Sequence, residues 1–145
     1  MHMKEIKQYC HSRTLNPISE HVTMYPIKEG CKFNEMDIVV LSKETLHVSH
    51  PEQSNKYITV GRAIKTIKSE SGSNILLCRD GVIMFKNSFD ISEYTVQVED
   101  VGKNCYLENE KYVSMNSKKR TVAGRILSVV EDSVIVRIDI YEGEE

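Results

Sequence analysis

His47 and His50, three residues apart in the run His47-Val48-Ser49-His50-Pro51-Glu52, are the most metal-like grouping in this sequence. On a strand that spacing sends the two imidazoles to opposite faces, so they converge only if the chain turns at Pro51. A same-face pair needs His-x-His. The expectation is therefore a solvated loop with two surface histidines and no metal; a metal-dependent hydrolase built on them is the enzymatic alternative. Nucleophilic chemistry finds less support. Gly-x-Ser-x-Gly is absent, and Ser71-Gly72-Ser73 lies in a turn-like stretch where a catalytic serine would lack a rigid elbow. Cys10, Cys31, Cys78 and Cys105 contain no C-x-x-C pair, which argues against a zinc ribbon or a thioredoxin-type site. Cys78 and Cys105 sit among Leu, Ile and Tyr, where a thiol behaves as a small buried hydrophobe, and four free thiols are expected. The carboxylate pairs Glu99-Asp100, Glu108/Glu110 and Glu131-Asp132 all fall beside turn residues and read as solvated.

Anion chemistry is equally sparse. The glycines occur singly, with neither G-x-G-x-x-G nor a Walker-type G-K-[ST]. Lys118-Lys119-Arg120 is the sole basic run, placed before a C-terminal pair of β segments with Tyr106 and Tyr112 as the only nearby aromatics. A β-barrel nucleic-acid-binding module using Lys118, Lys119 and Arg120 is the alternative reading. Against it stands the overall charge of −2, from 19 basic and 21 acidic residues, where nucleic-acid binders are usually strongly basic.

The elements that must carry these residues are strands. Val134, Val136, Ile138 and Ile140 alternate with Ile135, Arg137, Asp139 and Tyr141, a period of two that sends one set inward. Thr121–Val130 precedes them across Glu131-Asp132, which predicts a hairpin. Tyr57–Lys68 alternates in the same way, with Gly61 where a bulge or a close backbone approach would fall. Ile75–Arg79, Asp80-Gly81 and Val82–Phe85 predict a second hairpin, Asp-Gly being a strong two-residue turn signal. Val22–Ile27 and Asp37–Leu41 are further strands, with shorter ones at Thr45–Val48, Asn104–Leu107 and Tyr112–Met115. No internal repeat is visible. The expected fold is all-β, a single barrel or sandwich of roughly eight to ten short strands. Residues 21–145 form this body, and residues 1–20 a polar N-terminal arm.

The 145 residues, 40% of them hydrophobic, suffice for a self-supporting core. The longest apolar run, Ile38-Val39-Val40-Leu41, is far short of the ~20 residues that span a bilayer, so no membrane partner is expected. The charged start, Met1-His2-Met3-Lys4-Glu5, is unlike a signal peptide and implies a cytoplasmic product, with His2-Met3 readable as a cloning remnant.

The ordered series of segments resembles the head decoration, or structural cement, proteins of tailed bacteriophages and prophages. Gly81-Val82-Ile83-Met84-Phe85-Lys86-Asn87-Ser88 resembles that family's "G-V-aromatic-x-F-x-N-S". Asp100-Val101-Gly102-Lys103-Asn104-Cys105-Tyr106-Leu107 resembles its "D-[IV]-G-K-x-x-Y-[IV]", and Val122-Ala123-Gly124-Arg125-Ile126 its "x-A-G-x-V". Val134-Ile135-Val136-Arg137-Ile138 closes the series, with Ile135 in place of the usual Trp. Tyr25-Pro26-Ile27-Lys28-Glu29-Gly30, Asp37–Leu41 and Val60-Gly61-Arg62-Ala63 agree more loosely, and the loops are rich in Lys, Glu and Asn where many members have Ala and Thr.

The resemblance implies a protein without catalysis or cofactor, made in the bacterial host cytoplasm and carried on the virion head. It would bind the major capsid protein from outside and assemble as a homotrimer. The N-terminal arm, with Ile6, Arg13, Leu15 and Ile18 as its contacts, would order on the shell. Gly61, Gly81, Phe85, Asn87, Gly102, Tyr106, Ala123 and Gly124 would be structural positions of the motif.

Overall fold

The computed structural model describes residues 21–67, 75–88 and 92–138. β-Branched runs dictate the elements. Among the described residues ten strands form: β1 Val22–Pro26, β2 Ile38–Ser42, β3 Val48–Ser49, β4 Tyr57–Ala63, β5 Ile75–Arg79, β6 Gly81–Asn87, β7 Asn104–Leu107, β8 Tyr112–Ser114, β9 Val122–Val130 and β10 Ser133–Ile138. Between β6 and β7 lie two 3-10 turns, Ser92–Tyr94 and Val98–Asp100. The all-β expectation is met, and the described residues contain no helix long and apolar enough to cross a membrane.

The sheet closes on itself. β9, β10, β6, β8 and β7 are paired in succession, and β7 returns to β9, making a closed five-strand barrel. The first five strands repeat the same circuit: β4 pairs with β5, β5 with β1, β4 with β2, and β2 with β3. A parallel bridge from Ile27 to Val48 then joins β3 to the end of β1. It corresponds to the parallel β6–β8 pairing in the second ring.

Register as well as order is repeated. Arg62 faces Arg79 and Ala63 faces Cys78 in the first ring, where Arg125 faces Arg137 and Ile126 faces Val136 in the second. Val39 faces Gly61 just before a bulge, and Cys105 faces Gly124 just before its counterpart. The N–H of Met36 donates to the Ala63 carbonyl at 2.8 Å, and that of Gly102 to the Ile126 carbonyl at 2.8 Å. Superposed in this way, the halves share Val22/Val82, Met24/Met84, Leu41/Leu107, Val48-Ser49/Val113-Ser114, Gly61-Arg62/Gly124-Arg125 and Arg79/Arg137. The chain is thus a tandem repeat of one five-strand unit, correcting the expectation of no repeat. Unequal loops between the matched strands scatter the identities and hide them from inspection of the sequence.

The repeat also overturns the Asp80-Gly81 hairpin. β5 and β6 do not pair: β5 has its edges on β1 and β4, β6 on β10 and β8. Arg79 already has Val22 on one side and Arg62 on the other, so no edge is left for β6. Asp80-Gly81 instead links the two rings, with the Asp80 N–H on the His21 carbonyl at 3.0 Å and the Asp80 carboxylate 3.0 Å from the His21 ring. The predicted β9–β10 hairpin does form, turning at Glu131, whose φ of 56° suits a tight two-residue turn.

Each ring has its own core. Tyr25, Phe33, Leu41, Ile58 and Leu76 fill the first, and Phe85, Leu107, Ile126, Val136 and Ile138 the second. β2 separates them: Val39 and Leu41 point into the first core, Ile38 and Val40 into the second, so the strand is buried on both faces. That explains its unbroken apolar run, which alternation would not produce. Its counterpart β7 borders only one core, and there Asn104 is exposed and Tyr106 half-buried. The rings are therefore joined by shared packing as well as by the Ile58–Val122 pairing of β4 with β9.

Candidate interaction surface

The structure first disperses the grouped side chains. His50 stacks on Phe33, with ring centroids 4.5 Å apart, and its Nε2 meets the Lys32 carbonyl. His47 Nδ1 instead lies 3.1 Å from the Thr45 carbonyl, and the two histidines line different depressions. Among the described residues no group of three or more His, Cys, Asp or Glu is placed to hold a metal ion. Burial pushes the Cys105 thiol up to about 12 and raises Cys78 further still, so neither is a thiolate near neutrality. Cys31, half-buried, is the third free thiol described.

Of the paired carboxylates, Asp100 has a structural role, while Glu99, Glu110, Glu131 and Asp132 are exposed. Asp100 Oδ2 accepts from the Gln97 N–H at 2.8 Å, and its Oδ1 lies 3.4 Å from Lys103 Nζ, which together set the turn leading into β7. Glu108 and Glu110 border a cleft of about 440 Å³ at the seam of the two rings, lined from the other ring by Asp37, His50 and Glu52. Gln53 Nε2 donates to the Glu108 carbonyl at 2.8 Å and ties its walls together. In the basic loop, Lys118 and Lys119 are exposed and Arg120 half-buried, while Tyr106 and Tyr112 are both half-buried. No aromatic side chain among the described residues is exposed enough to form the stacking platform that single-stranded nucleic acid needs.

Of the resemblance positions, two are held to glycine by a close backbone approach. A Cβ on Gly61 would sit 2.2 Å from the Arg79 carbonyl oxygen, and one on Gly124 2.5 Å from that of Arg137. These are equivalent close approaches in the two rings. Phe85 and Ala123 are core residues of the second barrel. Asn87 is buried and clamps Val96 through both peptide groups, accepting from its N–H and donating to its carbonyl, each at 2.8 Å. Gly102, at a φ of 95°, lies in the turn that leads into β7, Gly81 opens β6, and Tyr106 pairs with Ser114. Ile6, Arg13, Leu15 and Ile18, with the whole arm 1–20, lie outside the described residues.

What sequence reasoning missed is a surface. The outward face of β6, β10 and β9 is built in rows by the pairing register. Val82, Arg137 and Arg125 form one row; Met84, Ile135 and Ser128, with the bulged Leu127 beside them, form the next; Lys86, Ser133 and Val130 form the third. Val82 and Met84 are 58% and 62% exposed and Val130 56%, a cluster of large apolar side chains in water. Isolated exposed apolar residues are ordinary, but contiguous ones mark interaction sites. The clue available in the sequence was the "wrong" set of the alternation, Val82 and Met84, apolar on the side that faces out. No family model, no curated protein and no solved structure matches this chain in the comparisons made.

Proposed function

We propose that this protein is a capsid decoration, or cement, protein of a bacteriophage or prophage, acting by docking rather than by catalysis. The observation that carries the docking role is the exposed apolar face of β6, β10 and β9 on a barrel whose core is closed. A contiguous apolar face marks an interaction site and is costly to leave in water, at about 25 cal/mol per Å². The ordered motif resemblance supplies the partner: a major capsid protein. The double-ring body suits a cement role because two cores joined through β2 transmit load between neighbouring shell subunits without a flexible linker.

The deciding experiment mixes the protein with empty shells assembled from the major capsid protein encoded nearest its gene and measures co-sedimentation. Saturable, stoichiometric binding is expected, abolished by Met84→Asp on the exposed face. Absence of binding to those shells overturns the capsid reading. Sizing of the free protein tests the homotrimer, and a monomer on the shell as well as in solution removes it.

A further inference from the structure

We propose that the seam between the two rings holds a binding site for a small oxyanion of the carboxylate or phosphate class, formed by Thr59, Arg62 and Arg79. Pairing register fixes which way the first two point. Tyr57, Thr59 and Arg62 stand opposite Ser42, Val40 and Ile38 of β2, while Ile58 and Gly61 stand opposite Leu41 and Val39. Ile38, Val40 and Tyr57 pack with the second core, and Val39, Leu41 and Ile58 with the first. Directly opposed residues share a face. Thr59 and Arg62 are therefore successive side chains on the side of β4 turned towards the second ring, and Val60, the extra residue of the bulge, joins the first core.

Both carry hydrogen-bonding atoms with nothing to bond. Thr59 is 4% exposed, and among the described residues neither its Oγ1 nor the buried Nε of Arg62 meets a partner. Buried polar groups are almost always paired, and these two are neighbours on one face. The internal repeat shows that the hydroxyl is not there for packing. The register shift after Val39–Gly61 sets Thr59 opposite Val40, and the shift after Cys105–Gly124 sets Val122 opposite Tyr106. Thr59 and Val122 are thus equivalent, yet the hydroxyl lies in the buried copy and the similarly shaped valine in the half-buried one. Burial alone selects the reverse.

The groups that face the ligand define its chemistry. Arg79 stands directly across the ladder from Arg62, with Cβ atoms about 5 Å apart, and is exposed, which leaves the site open at that end. Two guanidinium groups and a hydroxyl present donors and positive charge, which suit an oxyanion and repel a cation. The adjoining carboxylates are engaged elsewhere: Asp37 Oδ2 accepts from the Asn34 N–H at 2.7 Å, and Asp80 Oδ1 lies 3.0 Å from the His21 ring. Among the described residues no carboxylate forms an ion pair with Arg62 or Arg79. An anion between the arginines offsets the repulsion of two like charges directly opposed.

The full chain is titrated with inorganic phosphate, and separately with acetate, at constant ionic strength against chloride, following the Arg62 Nε–H resonance and the Tm. A saturable shift of that resonance with a rise in Tm is expected. The stronger of the two anions distinguishes free phosphate from a carboxylate as the source. Thr59→Val, which restores the residue of the second ring, should keep the fold and weaken binding about fivefold or more, and Arg79→Gln about tenfold. Arg62→Met should melt in chloride at or above the parent temperature, having lost an unsatisfied buried group, and respond to neither anion. No saturable shift up to about 10 mM of either anion overturns the proposal and leaves a buried water as the occupant. An equal response to chloride, which would mean an adventitious ion only, or unchanged affinity in Thr59→Val, overturns it as well.

Discussion

Replacing Gly124 by Ala tests the claim that the two rings are built on one backbone plan. The added Cβ would lie 2.5 Å from the Arg137 carbonyl oxygen and 2.7 Å from Val136 Cγ1, against the 3.5–4.0 Å at which carbon contacts become favourable. β9 and β10 must then separate by roughly 1 Å, stretching the ladder bonds on either side of the Arg125–Arg137 pair. Losing about two of these at ~1 kcal/mol each, with some repacking of Val136, comes to about 3 kcal/mol. For a chain of this size that is a fall in Tm of roughly 10 °C. Gly61→Ala meets main-chain atoms of Arg79 at 2.2 Å and 2.7 Å and should cost at least as much. Gly102→Ala is the control. Its Cβ would enter open space, and the equivalent residue in the first ring, Met36, already holds a φ of 78° with a side chain attached. Only the left-handed strain of about 1–2 kcal/mol remains. Urea denaturation of the three variants, with slopes compared, measures these costs. Gly124→Ala or Gly61→Ala within about 1 kcal/mol of the parent, or Gly102→Ala as damaging as either, would refute the close-approach reasoning.

Asn87→Ala should cost about 2–4 kcal/mol, because it strands the N–H and the carbonyl of buried Val96; Asn87→Asp sets a carboxylate against that carbonyl and should recover part of its loss on acidification, read by thermal melts across pH. Maleimide should label native Cys31 well before Cys78 or Cys105, whose thiols are buried, and mass spectrometry of digests will show equal labelling if that burial is wrong. Because burial raises the folded Cys105 value from 9.0 to about 12, the neutral thiol is the form the fold favours. Its stabilisation is complete below pH 9 and is lost as the pH rises towards 12, at about 1.4 kcal/mol per pH unit, so the urea midpoint should drop between pH 8.5 and about 10.5. A midpoint flat over that range, with the fold intact, would contradict it. Deleting residues 1–20 should abolish shell binding, and full co-sedimentation of the truncated protein would remove the arm from the docking role.

Much of the local structure was legible because strands announce themselves by period. Val134, Val136 and Ile138 are buried and Arg137 exposed, as alternation requires. Gly61 was readable as a close approach because a glycine inside a β-branched run has little else to explain it, and the contact with Arg79 bears this out. Asp80-Gly81 misled for a physical reason. A two-residue turn makes a hairpin only when both flanking strands have a free edge for each other, and β5 had none.

Composition and order along the chain determined the all-β class, most of the strands and the β9–β10 hairpin, since each depends on residues close in sequence. The tertiary structure alone decided that the chain repeats a five-strand ring, because equivalence there is defined by pairing register between distant strands rather than by identity. It alone decided that β2 is buried twice while β7 borders one core. It alone also turned Val82, Met84, Leu127 and Ile135, far apart in the chain, into one apolar face beside two opposed arginines. Periodicity says which side chains share a face, but only the packing of the second barrel determines which face meets water.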